Sequence, residues 1–186
     1  MKLPSPSALM LLLVACTPTA DRRLDSAAAI PDSSPPRPPA WTVTDASAGP
    51  IRAGMTLAEA AAAAGGVATD TARLTRQCDY VRFSGTPPGV SVMIVEGRVA
   101  RVDIDSAGIT TDRGAAVGDD EAKVRASYAG RLTSEPHKYV DGVYLLVRPE
   151  SPADSGSRLL FETDHGRVTR YRVGRLPEVR WVEGCS

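Results

Sequence analysis

Gly54-Met55-Thr56-Leu57-Ala58-Glu59-Ala60 returns, 64 positions later (118 − 54), as Gly118-Asp119-Asp120-Glu121-Ala122-Lys123-Val124, and the fold reading turns on this pair of stretches. At the same offset Tyr80-Val81-Arg82-Phe83 falls on Tyr144-Leu145-Leu146-Val147. Further on, Glu96-Gly97-Arg98-Val99-Ala100-Arg101-Val102 falls on His165-Gly166-Arg167-Val168-Thr169-Arg170-Tyr171, at an offset of 69 (165 − 96). The extra residues are assigned to a longer hairpin loop around Pro149 to Ser157. Three ordered matches with one insertion read as an internal duplication.

Each copy reads as a helix followed by strands. Thr56 is a good N-cap, Glu59 completes a capping box, the alanines propagate the helix and Gly65-Gly66 end it. In the second copy Asp120 is the cap, Lys123 breaks the box, and Val124 and Tyr128 form the buried stripe. Helices are therefore predicted near 56–65 and 120–129. Strands are predicted at about Tyr80–Ser84, Gly89–Val95 and Arg98–Asp105, then Val143–Arg148, Arg158–Thr163 and Arg167–Val173. Glu96-Gly97 and His165-Gly166 are tight hairpin turns in which glycine supplies a positive φ. The expected fold class is α+β: two tandem helix-plus-antiparallel-sheet repeats, 49–112 and 113–186, the second ending in a tail, after a signal peptide and a Pro-rich tether.

The tether is the segment 16–48. Pro31, Pro35, Pro36, Pro38 and Pro39 lock φ and remove backbone donors, so helix and central strand are disfavoured and the segment is expected to be disordered. Stretched as polyproline II it would reach roughly 100 Å. Residues 1–15 form an apolar core behind Lys2, too short to span a bilayer, and read as a secretory signal. The run Leu13-Val14-Ala15-Cys16 that closes it resembles the lipobox of bacterial lipoproteins. That resemblance implies lipidation of Cys16, cleavage before it and acylation of the new amine, an anchor that holds by burying acyl chains. With Thr17 rather than aspartate next, the sorting rule of such lipoproteins points to the outer membrane, facing the periplasm.

Cys78 and Cys185 remain, an even pair in an exported chain, and are expected to form a structural disulfide. The bond would pin the alternating, strand-like Val179-Arg180-Trp181-Val182 against the first copy near Tyr80. Basic and acidic residues number 22 each, so nothing marks a nucleic-acid partner. Aromatic residues, at 5%, are too few for stacking platforms.

Residue patterns that carry chemistry are few. His137 and His165 lack metal-ligand spacing, and no nucleophile elbow or phosphate-cradling loop is present. No catalytic residue, metal or cofactor is expected. Asp119-Asp120-Glu121 reads as a negatively charged helix start. Asp103 and Asp105 alternate on one strand, as a solvated face or a carboxylate pair. Arg98 and Arg101 recur as Arg167 and Arg170. If the two hairpins lie side by side, these four form a surface able to grip a carboxylate-rich partner; otherwise they are outward positions balanced by local acids.

Ile51-Arg52-Ala53-Gly54-Met55-Thr56, followed by an alanine-rich helix and a Tyr-Val strand, resembles the opening of the BamE/SmpA group of small outer-membrane lipoproteins. The resemblance implies a helix-plus-antiparallel-sheet fold, shared with the tandem β-lactamase inhibitor protein, and an envelope location. The chain departs from that group in carrying a second copy and in having Gly65-Gly66-Val67 where a proline is usual. The function expected is that of a non-enzymatic, lipid-anchored envelope module that binds or scaffolds another envelope protein in outer-membrane organisation. Inhibition of a periplasmic or secreted enzyme is the alternative.

Overall fold

The computed structural model describes residues 41–69 and 77–186. Cys16, the signal segment and the tether up to residue 40 lie outside the described residues.

The hairpins set the frame. Strands β6 (Val90–Val95) and β7 (Arg98–Ile104) are joined by Glu96-Gly97, and β11 (Ser157–Asp164) and β12 (Arg167–Arg175) by His165-Gly166. In both turns the two central residues have positive φ, 50° and 75° in one, 47° and 76° in the other. That backbone matches the twist of the flanking strands, and glycine supplies one of each pair without strain. Both hairpins carry a bulge. Ala100 is passed over between the pairs Met93↔Arg101 and Ile94↔Val99, and Thr169 between Glu162↔Arg170 and Thr163↔Val168. The extra residue reverses the alternation, so Val99 and Val102, three apart, both enter the core, as do Val168 and Tyr171.

The expectation of two tandem helix-plus-sheet repeats is overturned. Among the described residues strand far outweighs helix, and one continuous antiparallel sheet of eight strands runs through both halves, in the order β4-β5-β6-β7-β12-β11-β10-β9. Here β4 is Ala68–Thr69, β5 Cys78–Phe83, β9 Leu132–Pro136 and β10 Val143–Val147. The join is the β7–β12 ladder, Ile104↔Tyr171 to Arg101↔Gly174. The physical reason is edge satisfaction: β7 and β12 each end a hairpin with a free row of backbone donors and acceptors, and each pairs with the other.

Helix α1 (Leu57–Ala64) starts on the predicted capping box: Thr56 Oγ1 accepts from the Glu59 amide at 3.2 Å, and Glu59 Oε2 accepts from the Thr56 amide at 2.7 Å. Helix α2 (Glu121–Ser127) has Asp120 at its N-cap without a side-chain cap bond. Ala60, Ala64, Val124 and Tyr128 turn inward against Val81, Val92, Val102, Leu145, Leu159, Phe161 and Tyr171. Tyr128, Phe161 and Tyr171 form an aromatic run with centroids 5.7 and 5.3 Å apart. Each fully buried side chain of this size contributes about 1.5–3 kcal/mol.

The predicted tether extends too far. Trp41 packs against this core, and residues 42–48 hold two short strands, β1 (Thr42–Val43) and β2 (Ser47–Ala48). With β3 (Ile51–Arg52) and β8 (Thr110–Thr111) they form a second, small sheet, in which β1 runs parallel to β8. Asp45 fastens this segment to the second half by accepting from Arg131 Nη1 at 2.6 Å and from the Glu150 amide at 3.1 Å. The residues are polar in sequence but end-anchored by Val43 and Ala48, both fully buried.

Candidate functional site

Side chains alternate across a strand, so the large sheet has a second face, away from the helices. One line of register partners crosses it: Ser91↔Asp103, Asp103↔Arg172, Arg172↔Leu160 and Leu160↔Leu146. Polar at one end and apolar at the other, this face is partly covered by the C-terminal strap, residues 176–186. The strap is not the predicted strand; it turns through a 3-10 helix at Glu178–Arg180. Its Val179 is buried with Tyr144, Leu146 and Leu160. Its end is fixed by the Cys78–Cys185 disulfide, Cα atoms 5.3 Å apart, packed beside Met93, Val95 and Ala100.

Two buried guanidinium groups hold the strap backbone. Arg101 donates from Nη1 to the carbonyls of Glu178 (3.0 Å) and Trp181 (2.6 Å), from Nη2 to the Tyr80 hydroxyl (2.5 Å) and from Nε to Asp103 (2.9 Å). Its strand passes close to its register partner Gly174, where any Cβ would overlap the Arg101 Cβ and the Ala100 carbonyl. Arg172 donates from Nε to the Val179 carbonyl at 2.6 Å and from Nη1 to Glu162. Burial raises the pKa of Asp103, against the pull of Arg101 and Arg172. Burial, with the charge of Asp103 beside it, also raises that of Tyr80. Burial lowers that of Arg172, opposed by Glu162.

Beside the strap lies an open groove of about 600 Å³, lined by Tyr80, Arg82, Ser91, Arg101, Asp103 and Arg170, with Val182–Gly184 as one wall. The four-arginine surface expected from sequence is not assembled. Antiparallel pairing of β7 and β12 puts Arg98 and Arg167 at opposite ends of the ladder. There they bind the carbonyls of Gly54 (2.8 Å) and Gly118 (3.0 Å) and clamp the equivalent loops before α1 and α2. Arg101 is buried. Of the four, Arg170 alone faces the groove with its side chain exposed, at 57%.

Asp103 lies within the charged layer rather than on a solvated face, and Asp105 is exposed at the groove rim. His137 stacks on Tyr144 with centroids 4.3 Å apart, its Nε2 3.4 Å from Glu162. His165 sits on its exposed turn beside Asp164. Asp119 accepts from the Ala116 amide and Lys123 Nζ at the start of α2. Among the described residues, no group of three or more His, Cys, Asp and Glu is arranged to hold a metal. Sequence reading missed Tyr80, Arg82 and Ser91. Their one signal is position: each is the outward partner in a strand whose alternate residues are apolar.

No family model matches the chain, and no curated protein matches it. Among solved structures, the crystal structure of the uncharacterized protein yfeY from Escherichia coli aligns with 72% of this chain and 99% of that chain, at 12% identity and a TM-score of 0.42. A likeness this slight transfers neither fold nor function.

Proposed function

We propose that this chain is a lipid-anchored envelope lipoprotein, outer-membrane-bound and facing the periplasm, that serves as a non-enzymatic protein-binding module. The reading rests first on the Cys78–Cys185 disulfide that fixes the strap, since such bonds persist in oxidising compartments. It agrees with the lipobox-like Leu13-Val14-Ala15-Cys16 and with the BamE/SmpA-like opening at Ile51–Thr56. The groove beside the strap is the face offered to a partner in the organisation of the outer membrane.

Membrane fractionation of Cys16→Ala tests the anchor: the variant leaves the membrane fraction, whereas a variant that still floats with membranes contradicts it. The alternative, inhibition of a periplasmic or secreted enzyme, draws on the loop between β9 and β10, where Tyr139 is 59% exposed. Tyr139→Ala separates the readings, because it disables an inhibitor inserted through that loop and leaves a groove binder intact.

A further inference from the structure

We propose that the groove beside the strap docks an acidic segment of a protein partner, with two of its carboxylates seated on Arg82 and Arg170. This rests on the protein-binding reading above and specifies the partner's chemistry.

The charges on the groove are unequally spoken for. Asp103 is held by Arg101, and Glu183 by Lys138 at 2.9 Å. Asp105 takes the Ser106 hydroxyl at 3.2 Å. Arg82 is exposed, and among the described residues no carboxylate lies within 4 Å of it. Arg170 reaches Glu162 only at 3.7 Å, and Glu162 is already bound by the buried Arg172. One carboxylate therefore serves two guanidinium groups. The face keeps two accessible arginines with bonding capacity to spare, the residue type best suited to gripping carboxylates.

Geometry narrows the ligand. Arg82 is on β5 and Arg170 on β12, three strand spacings apart in the sheet. Arg82 shares its row with Arg172, and Arg170 lies two residues further along β12, so at about 4.8 Å per spacing and about 3.4 Å per residue the two backbones are about 16 Å apart. Two such arginines reach one compact phosphate only by leaning fully towards each other across β6 and β7, where the Asp103 carboxylate already lies. With a small inward lean of these flexible stems they match two carboxylates about four residues apart on one side of an extended chain, at about 3.4 Å per residue. The floor is rigid, because Arg101 has every guanidinium nitrogen bonded and the strap above it is tethered by Val179 and by the disulfide. A preordered floor lowers the entropy cost of docking.

The test uses the full chain with its disulfide intact and a blocked pentapeptide, Glu-Ser-Gly-Ser-Glu. Its Gln-for-Glu analogue and inorganic phosphate are separate arms, all followed by NMR titration. The Glu peptide is expected to shift signals of Arg82, Ser91, Arg170 and Gly184, and the Gln peptide is not. Arg82→Gln and Arg170→Gln, both at exposed positions, should each weaken binding roughly ten-fold. Arg113→Gln, which lies outside the groove lining, should leave it unchanged. Equal binding of the Gln peptide, indifference to both groove variants, or phosphate saturating the same residues would each overturn the proposal. Photo-crosslinking in the envelope separates the two readings. If an adduct from the groove survives the double variant Arg82→Gln/Arg170→Gln, the docking mode fails and the binding module stands. If the wild type gives no adduct while the Glu peptide still binds, the module reading fails and the carboxylate site stands.

Discussion

The two faces of the eight-stranded sheet are built on different principles. The face under α1 and α2 is largely apolar, from Val81 through Val102 to Leu145, with Thr163 as a buried polar contact to α2, and closes mainly by side-chain packing. The opposite face places Arg101, Asp103, Arg172 and Glu162 under or beside a strap that touches down on a small apolar patch and a disulfide. Packing specifies the first face by shape, so it tolerates loss poorly but needs no partner. The second face is specified by directional bonds from guanidinium groups to strap carbonyls. Such bonds fix a backbone path while leaving charge at the rim, which suits the docking proposed for the groove.

The largest expected effects separate these principles. Phe161→Ala should cost about 3–5 kcal/mol in equilibrium unfolding, with no single polar partner whose removal restores it. Arg172→Ala should cost a similar amount, about 3–5 kcal/mol, because the buried Glu162 keeps only its long contacts to Arg170 and His137 and the Val179 carbonyl loses its donor. The double variant Arg172→Met/Glu162→Leu should recover most of that loss. If the double variant is as damaged as the single one, the second face is held by packing and the contrast disappears.

Next in size is the disulfide. Cys78→Ser/Cys185→Ser should lower stability by about 2–4 kcal/mol. Hydrogen exchange should show the loss unevenly, with amides of Trp181 and Gly184 unprotected while those of Leu145 and Phe161 remain slow. Uniform loss would mean that the strap and the core unfold as one unit.

The helix caps give a smaller difference of the same kind. Thr56→Ala removes a side-chain cap bond and should cost about 1 kcal/mol. Asp120→Ala removes none and should cost less, read by thermal unfolding. The smallest effect is a pH slope. Burial raises the pKa of Asp103, so the folded chain holds that proton above the ordinary carboxylate range. Its contribution to stability is therefore greatest in acid and is lost as pH rises through the raised value. Compared with Asp103→Asn, the wild type should lose stability on going from about pH 4 towards neutrality. A parallel pair of pH profiles would show that Asp103 has the same pKa folded and unfolded.

Much of this was readable from local pattern. The Thr56–Glu59 box, the turns at Glu96-Gly97 and His165-Gly166 and the pairing of Cys78 with Cys185 are each set by a few neighbouring residues or by simple counting. The continuous sheet was not readable, because pairing of β7 with β12 joins residues about 70 positions apart (171 − 104 = 67 for Tyr171 and Ile104), and alternation does not say which open edge meets which. Strand β9 was missed for a related reason: Leu132-Thr133-Ser134-Glu135-Pro136 is a polar edge strand held by its neighbour. Arg101 was misplaced as surface because the strap carbonyls that hold it, those of Glu178 and Trp181, lie 77 and 80 positions away in the sequence. One overlooked clue lay in the strands: apolar residues three apart, Val99 with Val102 and Val168 with Tyr171, mark a bulge that plain alternation cannot produce.

The contrast between the faces is tested most directly by photo-crosslinking in the intact envelope from one position on each. A photoreactive residue in place of Asp105 sits at the groove rim, and one in place of Ala62 sits on the exposed side of α1. A discrete protein adduct is expected from position 105, disappearing with Arg82→Gln/Arg170→Gln, and none from position 62. An adduct from position 62 alone, or none from position 105, would contradict the assignment of recognition to the charged face.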